Sequence, residues 1–137
     1  MTAPLAELEA RIETLGAMAD ASAADGLLGL GEAVLEHWIG AHGGAPTRET
    51  WEGFRLLALQ RQGARGQPSF NACRETCREL VYHRNLILAD PAHPDTATRV
   101  RLASMIALHL YWFVAGKLAE ARLGEFCCSS RPIRNAG

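Results

Sequence analysis

The sequence contains none of the short motifs that specify a common enzyme reaction. It has no GxSxG, no HExxH, no Walker loop and no GxGxxG. Its carboxylates at helical spacing, such as Glu32 and Glu36, are expected to face solvent, where burial does not tune a carboxyl group for acid–base catalysis. The sequence therefore favours a protein that is not an enzyme.

Also absent are the polar–apolar alternation of β-strands, internal repeats and low-complexity blocks. Instead, apolar residues recur three and four positions apart, between segments that contain glycine and proline. A chain of 137 residues buries roughly two-thirds of its unfolded surface, so it needs no disulfide or metal to fold. We expect an all-α fold, a single-domain bundle of about five helices packed around a long apolar C-terminal helix. The bundle is expected over residues 1–126 and an irregular tail over residues 127–137.

Apolar spacing and capping residues place the helices along the chain. Asp25 is a plausible cap for the second helix and Ser69 for the fourth. The third helix is expected to turn Trp51 and Phe54 toward the core. The five expected helices cover about residues 3–19, 26–41, 48–62, 70–88 and 96–123.

The fifth helix carries an uncharged stretch, residues 102–116, which reads LASMIALHLYWFVAG. As a helix this stretch spans about 22 Å, short of the ~30 Å hydrocarbon core of a bilayer. His109 lies in its middle, so we expect a core helix and no membrane contact. Because apolar side chains occur on every face, the helix needs to be covered on all sides.

Two arrangements satisfy that requirement. Either four amphipathic helices cover both apolar faces, or one face meets the same face of a second chain across a two-fold axis. We favour a small accessory or regulatory module that acts through self-association, as a homodimer, or by binding a partner protein. The expected interface consists of Leu102, Ile106, His109, Trp112 and Phe113.

The N-terminus MTAPLAELEA lacks a basic region followed by an apolar run, so we expect no signal peptide and a cytoplasmic location. In a reducing compartment the four cysteines are free thiols or metal ligands. Cys73 and Cys77 lie four apart on one helix face, and Cys127 and Cys128 are adjacent in the tail. A disulfide within either pair has poor geometry. The alternative function is therefore metal binding or redox sensing, with zinc or an iron–sulfur cluster as the cofactor that four thiolates could hold.

His109 also has the apolar surroundings that an axial haem ligand would need. The sequence has no CxxCH attachment motif, so any haem would be bound without a covalent link. A single histidine on a core helix more often contacts a neighbouring side chain. We therefore expect no resident cofactor at this residue.

Charge is unevenly distributed along the chain. Residues 1–46 hold seven acids and one base, whereas thirteen bases and eight acids follow. Asn71, Arg74 and Arg78 lie on the expected outer face of the fourth helix, where a recognition helix carries its contacts to nucleic acid. A helix-turn-helix-like DNA-binding regulator is thus a second alternative. The connection of about seven residues, GARGQPS, is longer than the usual three or four, which weakens that interpretation.

Overall fold

The computed structural model describes residues 3–122, and within that range the chain forms helices and no strand. The expectation of an all-α single domain is confirmed, and the long C-terminal helix packs against the others. A 3₁₀ helix, Pro68–Cys73, directly precedes the fourth α-helix. The five α-helices are α1 (Leu5–Gly16), α2 (Ala23–Ala41), α3 (Arg55–Ala64), α4 (Arg74–Ala89) and α5 (Thr96–Ala121).

Helix α5 lies against α1, α2 and α4, while α3 packs on α2. Its buried side includes the small residues Ala103 and Ala107, which let neighbouring helices approach closely. Gly16 allows α1 to approach α5, because a Cβ atom there would collide with the Ser104 side chain. The apolar stripe of α1 supplies Leu5, Leu8 and Ile12 to the core. The bundle thus covers one side of α5 with three helices.

Helix α3 begins later than the apolar spacing indicates, because residues 51–54 form a tight turn. Glu52 and Gly53 adopt φ angles of 53° and 88°, and Trp51 and Phe54 exchange two backbone N–H···O bonds of 3.0 Å. Trp51 consequently lies at an exposed turn, 43% accessible, so the expectation that it faces the core is wrong. A propensity pattern does not reveal such a turn when its first left-handed residue is a glutamate.

Two expected helix caps also differ from the structure. Helix α2 begins at Ala23, so Asp25 lies inside its first turn, and the Asp20 carboxylate accepts from the Ser22 backbone N–H at 2.7 Å instead. Ser69 lies within the 3₁₀ helix that begins at Pro68, because the chain enters α4 through that tighter turn.

The long connection between α2 and α3 is held by the side chains of Arg55 and Gln62, and Gln62 exchanges hydrogen bonds of 2.8 Å with the backbone of Ala45 and Thr47. Arg55 Nε donates to the Thr47 carbonyl oxygen at 2.9 Å, and its Nη1 lies 2.7 Å from Glu36 Oε2 and 3.3 Å from Glu32 Oε1. Burial raises the pKa of Glu32 above its usual value, with the Arg55 charge opposing that shift. Both glutamates are thus structural partners of Arg55, and the expectation that they face solvent freely is wrong.

Helix α5 has 26 residues, longer than the uncharged stretch alone, and so spans about 39 Å. By length and composition it is the one helix within residues 3–122 that could cross a membrane, and 44% of its most apolar window is buried inside the bundle. A core helix of a soluble protein has the same character, and the burial of its inner side is compatible with that role.

Candidate functional site

Within residues 3–122 no helix covers the outer side of α5, and this side carries large apolar side chains. Leu102 is 44% accessible, and Met105 and Trp112 are each 51% accessible. His109 lies exposed between them. Isolated exposed apolar residues are common, but several that are neighbours on one face of a helix are typical of an interaction surface. We call this set, Leu102, Met105, His109 and Trp112, the outer face of α5.

Helices α1 and α4 border the outer face. On the α1 side, Trp112 Nε1 donates to Glu9 Oε2 at 3.0 Å, which fixes the orientation of the indole. On the α4 side, a shallow cavity of about 220 Å³ lies at the surface between α4 and α5. Its walls are Thr76, Glu79, Leu102, Met105, Ile106 and His109. The outer face of α5 is therefore a ridge with a groove along the edge that borders α4.

The residues expected at an interface divide into two groups. Leu102, His109 and Trp112 are exposed, whereas Ile106 and Phe113 are partly buried against the core. Phe113 packs on Phe70, with ring centroids 5.7 Å apart. The expected set omitted Met105, although its spacing of four residues from His109 places it on the same face.

The His109 side chain is exposed on this surface rather than enclosed in an apolar pocket. Its ring lies 5.8 Å from the Trp112 ring, centroid to centroid. No group of three histidine, cysteine or acidic residues that could hold a metal ion is found within residues 3–122. The geometry therefore gives His109 an aromatic neighbour on an open surface.

Cys73 and Cys77 form a buried pair at the start of α4, and both are free thiols. The Cys73 thiol donates to the Phe70 carbonyl oxygen, with Sγ and O 3.2 Å apart. A hydrogen bond from Cys77, together with the Gln60 side chain and the Lys117 charge, lowers the pKa of Cys73. The same thiol contact, with burial, raises the pKa of Cys77 well above its usual value.

Two members of this thiol environment escaped the sequence analysis. Gln60 comes from α3, where its buried Nε2 donates to the Phe70 carbonyl oxygen at 3.3 Å. Lys117 comes from α5, where its Nζ donates to Ser69 Oγ at 2.9 Å. No sequence spacing links these residues to Cys73, because three separate elements bring them together.

The predicted four-thiolate site is only half present in the part of the chain that the structure describes. Cys73 and Cys77 lie together, whereas Cys127 and Cys128 lie outside the described residues. Binding of zinc or an iron–sulfur cluster stays a prediction, and two adjacent thiols fall short of the four ligands of a structural zinc site.

The residues proposed for nucleic acid lie on the surface of the 3₁₀ helix and α4. Asn71 and Arg74 are exposed, and Arg78 pairs with Glu52, with Nη2 and Oε1 3.1 Å apart. Arg74 and Arg78 also line a hollow of about 20 Å³ next to Arg61, whose guanidinium lies 3.7 Å from the Trp51 ring centroid. The resulting basic surface is small and is interrupted by Glu52.

No family model, no curated protein and no solved structure matches this chain.

Proposed function

We propose that the protein is a small accessory or regulatory module, without catalytic activity, that acts by protein association through the outer face of α5. The observation that supports this proposal is the accessibility of Leu102, Met105 and Trp112 on one face of a helix whose opposite face is buried. Removing apolar area from water releases roughly 25 cal/mol per Å², and these side chains offer that area to a partner.

The surroundings of the face support association with protein. Trp112 is oriented by Glu9, so an aromatic anchor is already in place before a partner binds, and fixed aromatic anchors are typical of binding hot spots. Polar residues such as Glu79 border the face, as in the rim of an ordinary protein interface. We further propose that the protein works in the cytoplasm, with the inner side of α5 as the core of a soluble bundle.

Sedimentation velocity at micromolar concentration tests this function. We expect the wild-type protein to form species heavier than the 14.9 kDa chain, in a concentration-dependent way. Met105→Glu should weaken association by about tenfold or more, because it places a charge within the buried area. Met18→Glu is the matched control, since Met18 is a methionine of similar exposure, 47%, that lies in the connection after α1 and not on α5. Association that is equally insensitive to both changes would contradict the proposal.

The thiol pair supports a second candidate, redox sensing through Cys73. The specific observation is that Cys77, Gln60 and Lys117 together lower the pKa of the Cys73 thiol. Thiolates are the reactive form of cysteine, so Cys73 should be alkylated at lower pH than an ordinary thiol once a reagent reaches it. Peptide mass spectrometry of the alkylated folded protein measures this, and metal analysis on the same sample tests the thiolate site.

In Cys77→Ala the alkylation profile of Cys73 should shift toward higher pH, because the variant lacks the hydrogen bond from the Cys77 thiol that lowers the pKa of Cys73. If Cys73 stays unreactive in the folded protein at every pH, the pair is a packing element and this second function fails.

A further inference from the structure

The side chains on the outer side of α5 are arranged so that this side can pair with the same side of a second chain. At about 100° per residue, one arc of about 100° contains Leu102, Thr98, the buried Ala119 and six further positions. These six positions form two neighbouring rows with a spacing of four residues. The first row is Arg101, Met105 and His109, and the second is Trp112, Gly116 and Glu120.

We infer that the partner of this face is a second copy of the chain, bound antiparallel about a two-fold axis that passes between residues 110 and 111. This inference rests on the proposed association through α5 and specifies its partner and register. About such an axis, residue 101 stands level with residue 120 of the other chain, residue 105 with residue 116, and residue 109 with residue 112. Each row therefore faces the other row of the partner, as a self-complementary interface requires.

The charges at the two ends of the face favour this direction. Arg101 and Glu120 are both exposed, and within residues 3–122 neither side chain makes an ion pair or hydrogen bond. In the antiparallel pair each Arg101 stands level with the partner's Glu120, within reach of two long side chains. In a parallel two-fold pair Arg101 would instead meet the partner's Arg101, and Glu120 the partner's Glu120, which would repel.

The sizes of the side chains are also complementary. Beyond the adjacent residues and backbone of α5 itself, a Cβ atom at Gly116 would meet no described atom within 4 Å, so the space above this glycine is open. Met105 projects into solvent at the level where the partner's Gly116 lies. A flexible, unbranched methionine fits the open space over a glycine, and the absence of a side chain there allows the two helices to approach each other.

The centre of the face carries aromatic rings. His109 and Trp112 are 5.8 Å apart within one chain, and the two-fold axis brings the same two rings of the partner against them. Four rings then surround the axis, and the Glu9 carboxylate that holds the Trp112 indole lies at the edge of this cluster. Rings at such distances attract one another beyond the area that they bury.

A charge exchange tests the register. Arg101→Glu and Glu120→Arg should each weaken dimerisation of the full chain by about tenfold, because each creates two like-charge contacts per dimer. The double variant Arg101→Glu/Glu120→Arg should recover most of the wild-type affinity. Arg48→Glu, Glu49→Arg and their double variant are matched controls, since both residues are exposed in the connection between α2 and α3. Sedimentation equilibrium measures all dissociation constants, and circular dichroism checks that each variant is folded.

The outcomes separate this inference from the proposed function. Recovery in the double variant, with no change in the controls, supports the antiparallel register. If the wild type dimerises and Met105→Glu weakens it, but the double charge exchange does not restore affinity, the register is wrong while association through α5 stands. If the wild type stays monomeric at all concentrations tested, the second copy is not the partner. If it dimerises and Met105→Glu has no effect, the proposed function and this inference fail together.

Discussion

Gly116→Ala most directly separates the contribution of helix α5 to the stability of the single chain from its proposed contribution to dimerisation. Within a single chain this substitution should be favourable. Beyond the adjacent residues and backbone of α5 itself, a Cβ atom at this position meets no described atom within 4 Å, and alanine is preferred over glycine in a helix by about 0.5–1 kcal/mol. We therefore expect the free energy of unfolding of the monomer to rise by that amount.

In the antiparallel dimer the same methyl group occupies the space that receives the partner's Met105. Because the interface is symmetric, two such contacts are disturbed in each dimer. Overpacking a contact of this kind costs about 1–3 kcal/mol, and a surface contact between flexible side chains should lie at the low end. Two contacts at about 1 kcal/mol each give a total loss of about 2 kcal/mol per dimer, which corresponds to a dissociation constant about 30-fold larger. Helix propensity does not offset this loss, because α5 is helical in both the monomer and the dimer.

Two measurements are needed, with one control variant. Urea denaturation in the Met105→Glu background gives the stability of the single chain, and sedimentation equilibrium in the wild-type background gives the dissociation constant. Gly29→Ala is the control, since Gly29 lies within α2, is exposed, and a Cβ atom there also meets nothing within 4 Å. It should raise stability equally and leave dimerisation unchanged. If Gly116→Ala strengthens the dimer or behaves as Gly29→Ala does, no partner side chain lies above Gly116.

The remaining predictions concern the bundle itself. Arg55→Met should lower the free energy of unfolding by about 1.5–3 kcal/mol, measured by urea denaturation, because it removes hydrogen bonds between charged groups and leaves two carboxylates together. Glu32→Gln should be as stable as the wild type at pH 7. The pKa of Glu32 is raised in the fold, so the folded state binds more protons than the unfolded state at pH values between the two pKa values. Wild-type stability therefore falls as pH rises through this range, whereas the stability of the variant does not. Parallel pH profiles of the two proteins would contradict a raised pKa of Glu32. Leu110→Ala should cost about 2–5 kcal/mol in thermal or chemical unfolding, since Leu110 is fully buried on the inner side of α5. A loss below 1 kcal/mol would show that this side is not the core.

Much of the fold followed from local patterns. The recurrence of Leu5, Leu8 and Ile12 in α1 specifies a buried stripe, and the structure buries all three. The prolines between α4 and α5 end one helix and permit the next to begin near Thr96. These features depend on residues a few positions apart, so a single sequence contains the information needed to predict them.

The features that depend on distant residues were not predictable in this way. Arg55 joins α2 to the connection that follows it, and Lys117 reaches Cys73 from another helix. Trp51 has an ordinary inner-face spacing, yet the left-handed turn after it directs the residue to the surface. Each of these placements is decided by backbone geometry or by a partner far away in the chain.

Helix α5 shows which features the local sequence determines and which depend on tertiary packing. Its composition alone makes it the central helix of an all-α bundle, because a long uncharged segment needs to be removed from water. Composition did not reveal which of its two apolar faces the chain itself would bury. The packing decided that question. The side with Ala103 and Ala107 lets three helices approach closely, which leaves the larger side chains Met105 and Trp112 on the side that no helix within residues 3–122 covers.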